Sequence, residues 1–138
     1  MTNRYILDAC ALIAYLNDEE GADIVENLLD EAETKNIFVA MGKVNLLEVY
    51  YGLFRELGKE QADEILDDLL ALPIQIVSEL SDELFREAAR IKALYKVSLA
   101  DSLALGLASI TGDQIATSDH HEFDIVESKE TIRFFWIR

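Results

Sequence analysis

A chain of 138 residues with 51% apolar content is long enough to bury a core and too apolar to be disordered. Its 27 acids against 12 Lys and Arg give a net charge of −15, which argues against a broad nucleic-acid-binding surface but does not decide the field at one local site. A single cysteine excludes an internal disulfide and fits a reducing cytoplasm.

One proline and no Gly/Ser-rich tract leave no linker, so residues 1–138 are expected to form one domain. No internal repeat or low-complexity segment is present. The longest apolar run, Ala9 to Leu16, is too short for a membrane span, and the early Arg4 and Asp8 do not make a signal peptide.

Tyr5, Ile6 and Leu7 read as a short buried strand, followed at once by Asp8 and an apolar helix to about Leu16. Asn17 to Gly21 is a break. Ala22, Ile24, Val25, Leu28, Leu29 and Ala32 recur at helical spacing. Ile37 to Met41 has the length and composition of a strand, which Gly42 ends. Val44 to Leu57 is helical, with Val44, Leu47, Tyr51 and Phe54 on one face, and Gly58 stops it. Glu60 to Leu72 is a further amphipathic helix, and Pro73 opens a strand over Ile74 to Val77. Ser81 starts a helix to about Tyr95, with Leu84, Phe85, Ala88, Ile91 and Leu94 inward. Ser98 starts another to about Ile110, apolar enough to be buried. After the turn Thr111-Gly112-Asp113 come a short strand, Gln114 to Thr117, a polar stretch, Ser118 to Asp124, and a last strand, Thr131 to Ile137. Strands alternating with helices predict an α/β fold with a parallel sheet and right-handed crossovers.

Four acids stand out because they sit in apolar surroundings or at the carboxyl end of a strand: Asp8, Glu48, Asp101 and Asp119. In a parallel sheet all four fall on one edge, where open α/β sheets bind ligands. Each also has a plainer use. Asp8 and Asp119 can cap the helix or turn that follows, Glu48 can pair with Arg55, and Ser98 to Asp101 fits a capping box. The four together are harder to explain by stability. Two carboxylates ~4 Å apart repel by about 4 kcal/mol at an effective dielectric of ~20. A divalent cation reverses that sign, and all-oxygen donors suit Mg²⁺ or Mn²⁺.

The segments RYILDACALIAYL, VNLLEVYYGL, SLADSLALGLA and IATSDHHEFD, in this order, resemble the PIN-domain ribonucleases, and within them the small VapC-type toxins of bacterial toxin–antitoxin pairs. The resemblance covers essentially the whole chain. It implies a three-layer α/β/α sandwich with a five-stranded parallel sheet in the order 3-2-1-4-5. It also implies Mg²⁺- or Mn²⁺-dependent cleavage of single-stranded RNA, a homodimer, and an antitoxin partner whose apolar helix lies near the site. Asp8, Glu48, Asp101 and Asp119 would be the metal-site acids, Glu122 an auxiliary acid, and Asp124 a weaker match. Cys10 departs from the pattern, since many relatives carry Ser, Thr or Asn there. A thiol is a weak donor and a poor Mg²⁺ partner.

Arg86, Arg90, Lys92 and Lys96 form the one basic cluster, either a solvated helix face or a track for RNA phosphates. His120 and His121 are loop residues or contacts near the scissile phosphate. Tyr50, Tyr51 and Tyr95 suit a core or dimer face better than base stacking. Two rival readings remain open. One is a catalytically degenerate binding module. The other is an aspartyl phosphatase using Asp8 as nucleophile, whose chemistry looks for a second Asp where Cys10 stands.

Overall fold

The structure, a computed structural model, describes residues 3–138. Its elements run β1 (Asn3–Leu7), α1 (Ala9–Leu16), α2 (Ala22–Glu33), β2 (Ile37–Gly42), α3 (Lys43–Leu57), α4 (Lys59–Leu70), β3 (Gln75–Val77), α5 (Asp82–Leu94), α6 (Leu99–Thr111), β4 (Gln114–Thr117), α7 (His120–Lys129) and β5 (Phe134–Trp136). The five strands form one sheet in the order β3-β2-β1-β4-β5, and every pairing is parallel. The three-layer architecture and strand order implied by the resemblance are both present.

Alternation along the strands sorts the core into two layers. Tyr5, Leu7, Val39, Met41 and Ala116 face α1 to α4, while Ile6 and Ile115 face α5 to α7. The central strand β1 pairs with β2 through Tyr5 and Val39, and with β4 through Ile6 and Ile115. The ladder continues one residue past β1, where the Asp8 N–H donates to the Ala116 carbonyl at 3.3 Å. Asp8 is thereby fixed at the carboxyl edge of the sheet, on the side that faces α5 to α7.

Local chemistry explains where several helices begin. The side chains of Asp8, Ser81, Ser98 and Asp119 each accept a hydrogen bond from a main-chain N–H in the first turn that follows. The stop of α4 at Leu70, two residues short of the expected end, follows from Pro73, which disfavours helical backbone at Leu72.

Other expectations are corrected. Ser118 to Asp124 is not simply a polar connection, because α7 begins at His120 and runs to Lys129. Only Phe123 and Val126 turn inward from it, so it carries little apolar periodicity. The last strand shrinks from Thr131–Ile137 to Phe134–Trp136. In α3 the stripe Val44, Leu47, Tyr51 and Phe54 faces outward, and Asn45, Leu46 and Val49 are the buried residues. The helix carries two apolar stripes, and Asn45 ties the other one down, its Nδ2 donating to the Ala100 carbonyl of α6 at 3.1 Å. In α5, Leu84, Ala88 and Ile91 are inside as expected, but Phe85 and Leu94 are mostly exposed. The otherwise buried α6 leaves Leu99 exposed at its start. Among the described residues no helix is long and apolar enough to cross a membrane.

Candidate active site

Asp8 is 1% exposed, and both of its carboxylate oxygens are engaged. Oδ1 accepts from the Ala11 N–H at 2.8 Å, which caps α1. Oδ2 accepts from the Thr117 hydroxyl at 2.5 Å. Thr117 Oγ1 in turn accepts from the Asp119 N–H at 3.1 Å, so one hydroxyl at the end of β4 links two of the four acids. Thr117 was not singled out from the sequence. The available signal was a hydroxyl as the last residue of a strand, two positions before an acid.

Asp119 caps α7, its Oδ1 accepting from the Glu122 N–H at 3.1 Å. Asp101 lies in the first turn of α6, where its N–H donates to Ser98 Oγ at 3.0 Å. The capping-box geometry expected at Ser98 is therefore present beside the acid. Glu48 lies one turn beyond Asn45 on α3, and Asn45 is bonded to the residue preceding Asp101. That amide ties together the two helices that carry Glu48 and Asp101, while its Oδ1 is buried without a hydrogen-bond partner. Gly42 leaves room for it, because a Cβ there would come within 2.9 Å of Asn45 Oδ1.

Glu48, Asp101, Asp119 and Glu122 line one open cleft of about 1090 Å³, together with Ala9 and Cys10. Asp8 lies next to those two residues but is itself buried. None of the four principal acids makes an ion pair among the described residues. The expected alternative pairing of Glu48 with Arg55 does not occur. Burial pushes the Asp8 carboxyl up to about 7, and the charges of Asp101 and Asp119 add to that against the lowering bonds from Thr117 and Ala11. Burial, then the charge of Asp101, raises Glu48. Asp101 is raised by burial and by Asp119 and Glu122, with the Ser98 bonds opposing. Cys10 is pushed up to about 12 by burial and then by the four acids, so its thiol stays protonated and unreactive.

The candidate basic residues divide. Lys92 and Lys96 line the cleft, with Arg55 opposite on α3. Arg90 does not. It is held by Glu87 at 2.8 Å and by Glu130 at 2.6 Å, and Tyr95 donates to the same Glu130. Arg86 is exposed and also outside the lining. His120 is turned away toward β5, its ring stacked on Trp136 with Nδ1 2.8 Å from Asp124 and Nε2 2.8 Å from the Arg138 carbonyl. His121 is almost fully exposed.

Among the described residues, no three acidic, His or Cys side chains are gathered closely enough to chelate an ion unaided. The anionic donors facing the cleft are nonetheless hard carboxylate oxygens, and Glu48, Asp101 and Asp119 make no ion pair with the basic residues of the same wall. Such a set fits Mg²⁺ or Mn²⁺, which bind through one or two carboxylates and complete their shell with water and substrate phosphate.

A parallel α/β/α sandwich with paired and unneutralised acids at the carboxyl edge of its sheet defines a class of acidic-site α/β domains. The chain matches the PIN domain family over residues 5–129 and belongs to that family. No curated protein matches it by sequence. Solved structures match its fold closely. A DNA-bound VapBC complex from Salmonella typhimurium contains a chain with 18% identity and a TM-score of 0.76, with 100% of both chains covered. VapBC2 from Rickettsia felis, bound to a DNA fragment from its promoter, matches at 20% identity and a TM-score of 0.78, covering 96% of this chain and 98% of that one. VapC20 from Mycobacterium tuberculosis, a sarcin–ricin loop cleaving toxin, matches at 14% identity and a TM-score of 0.65, covering 88% and 94%. The family resemblance read from the sequence is borne out.

Proposed function

We infer that this protein is a Mg²⁺- or Mn²⁺-dependent endoribonuclease that hydrolyses phosphodiester bonds of single-stranded RNA, and that it is the toxin of a toxin–antitoxin pair in the cytoplasm. The observation that carries the reading is one cleft lined by Glu48 of α3, Asp101 of α6 and Asp119 and Glu122 at the start of α7, with the buried Asp8 directly behind Ala9 of its wall and no ion pair on Asp8, Glu48, Asp101 or Asp119 among the described residues. Asp8, Glu48, Asp101 and Asp119 would hold the cation, with Glu122 auxiliary. When bound, such a cation activates water and neutralises charge developing on the phosphate. Thr117 holds Asp8 and Asp119 in a fixed relation. Lys92, Lys96 and Arg55 receive RNA phosphates on the cleft wall.

The rival uses of Asp8 fit less well. An aspartyl phosphatase of this kind looks for a second Asp two residues after the nucleophile, and Cys10 stands there. A degenerate binding module gives no reason to keep Glu48, Asp101 and Asp119 unpaired along one cleft.

The antitoxin reading is supported by the VapBC complexes among the structural relatives and by a second groove. That groove, of about 450 Å³, is lined by Tyr15, Leu16, Leu53, Leu57, Ile65 and Leu69 and shares Glu56 with the acid cleft. It suits an apolar helix laid beside the site. The exposed stripe of α3 suits a homodimer face.

Cleavage of single-stranded RNA by the wild type, with and without EDTA, tests the reading against Asp8→Asn and Asp101→Asn. Each substitution should lower the rate by more than about 100-fold, since even outer-shell partners of metal ligands are worth 10- to 100-fold. Full activity in both variants, or activity indifferent to EDTA, overturns it.

A further inference from the structure

The aromatic column at the end of β5 has no part in the mechanism above, yet it lies in line with the acids. Asp8, Thr117 and Trp136 occupy one row across β1, β4 and β5. The Asp8 N–H bonds to Ala116 and Thr117 is in register with Trp136. Side chains in register point to the same face of a parallel sheet, so the three stand side by side. At a strand spacing of ~4.8 Å, Trp136 is about 10 Å from Asp8 along that row.

Trp136 is stacked with Phe134 at 5.3 Å and with His120 at 3.7 Å, the His120 and Trp136 rings being 13° from parallel. His120 directly follows Asp119, which lines the acid cleft. Its ring is immobilised in every polar direction, with Nδ1 at Asp124 and Nε2 at the Arg138 carbonyl. Trp136 itself is anchored by its indole N–H, which donates to Glu127 at 3.1 Å. Neither nitrogen of His120 is free to contact a phosphate or to move a proton. The side chain is nonetheless 48% exposed. Trp136 covers one face and both nitrogens are taken, and no aromatic partner stacks on the opposite face among the described residues.

We propose that the outer face of His120, one residue from Asp119 but outside the cleft lining, is a stacking platform for one unpaired nucleobase of the RNA that flanks the scissile phosphate. A flat ring held at fixed orientation, backed by a second aromatic ring and placed beside a phosphate-handling site, is the arrangement that captures unstacked bases. It loses little ordering entropy on binding because the ring is already fixed. It selects single strands, since a base in a duplex has no free face to offer. The acids handle the phosphate, and the platform positions the base beside it. The proposal rests on the nuclease reading and adds to it the residue that recognises unpaired substrate.

The test compares His120→Ala, His120→Leu and His120→Phe with the wild type. All three substitutions lose the same two polar contacts, so differences among them isolate the ring face. Binding of a fluorescently labelled single-stranded RNA is measured by anisotropy in Ca²⁺, which also takes oxygen ligands, and steady-state cleavage is measured in Mg²⁺. The Ala and Leu variants should bind at least about five-fold more weakly, with the loss in KM and not in kcat, while Phe stays close to wild type. An RNA with a single abasic nucleotide beside the cleavage position should weaken the wild type and Phe variant but not Ala. Equal binding by all four proteins, or equal weakening in all three variants, overturns the platform while leaving the nuclease intact. A wild type that neither binds nor cleaves RNA overturns both.

Discussion

Asp8 shows most directly what one residue gives up in stability for a site. It serves the fold by capping α1, yet its carboxyl is buried among other acids and held up at about 7. A group whose folded-state pKa lies above its unfolded value of about 4 favours the native state most when it is protonated. That contribution is complete below the unfolded value and is lost as pH rises through the folded one. Metal-free wild type should therefore lose stability relative to Asp8→Asn between pH 5 and pH 8, by an amount on the order of 3 kcal/mol. Paired urea melts in EDTA at the two pH values measure the difference. Mn²⁺ should remove it from the wild type alone. A difference that is flat with pH places Asp8 in a solvated setting and removes the electrostatic argument for a cation. Cys10 raises no comparable issue, since a thiol pushed up to about 12 is neutral throughout this range.

At the scale of elements, helix starts bring the acids to the site. Asp8 and Asp119 cap α1 and α7, and Asp101 stands in the first turn of α6. Each helix start offers unpaired N–H groups and a partial positive charge, worth about 0.3–1 kcal/mol to an adjacent anion. Three such ends at one sheet edge offset part of the repulsion that burial makes severe. Element packing also sets where glycine is required. Gly21, at the start of α2, has φ of 97°, and a Cβ there would lie 2.7 Å from the Ile137 carbonyl beyond β5. Gly112 has φ of 74° with open space around it. Gly112→Ala should cost about 1 kcal/mol for the left-handed backbone alone, and Gly21→Ala roughly 1–3 kcal/mol more from the collision. Thermal melts of the two variants check the order. Equal losses mean that the contact between the first connection and the carboxyl-terminal segment is slack.

For the whole molecule, the charge distribution matters more than its sum. A net charge of −15 opposes RNA everywhere except where bases survive unpaired. Arg90 is consumed by Glu87 and Glu130, whereas Lys92 and Lys96 line the cleft. Lys92→Ala and Lys96→Ala should each weaken RNA binding across sequences and flatten its salt dependence by close to ~0.7, the slope of one lost single-strand phosphate contact. Arg90→Ala should lower the melting temperature and leave the salt slope unchanged. Affinity measured at several KCl concentrations separates the two outcomes. An unchanged slope in both lysine variants takes the basic wall out of the account.

The α/β class, most element positions and the four acids were legible in the amino-acid sequence because each leaves a local mark. Buried strands are short apolar runs, amphipathic helices repeat at their own period, and an acid among apolar neighbours stands out. α7 left little mark, since only Phe123 and Val126 face inward from it. The side of α3 that meets the core was equally hidden, because two apolar stripes compete and only the packing of Leu46 and Val49 into the core, with the Asn45 bond to α6, distinguishes them. Tertiary structure alone decided that Thr117 joins Asp8 to Asp119, that Lys92 and Lys96 reach the cleft while Arg90 does not, and that His120 turns onto Trp136. The physical reason is that these contacts join residues distant along the chain, whose distances are set by sheet register and helix packing and leave no period to read.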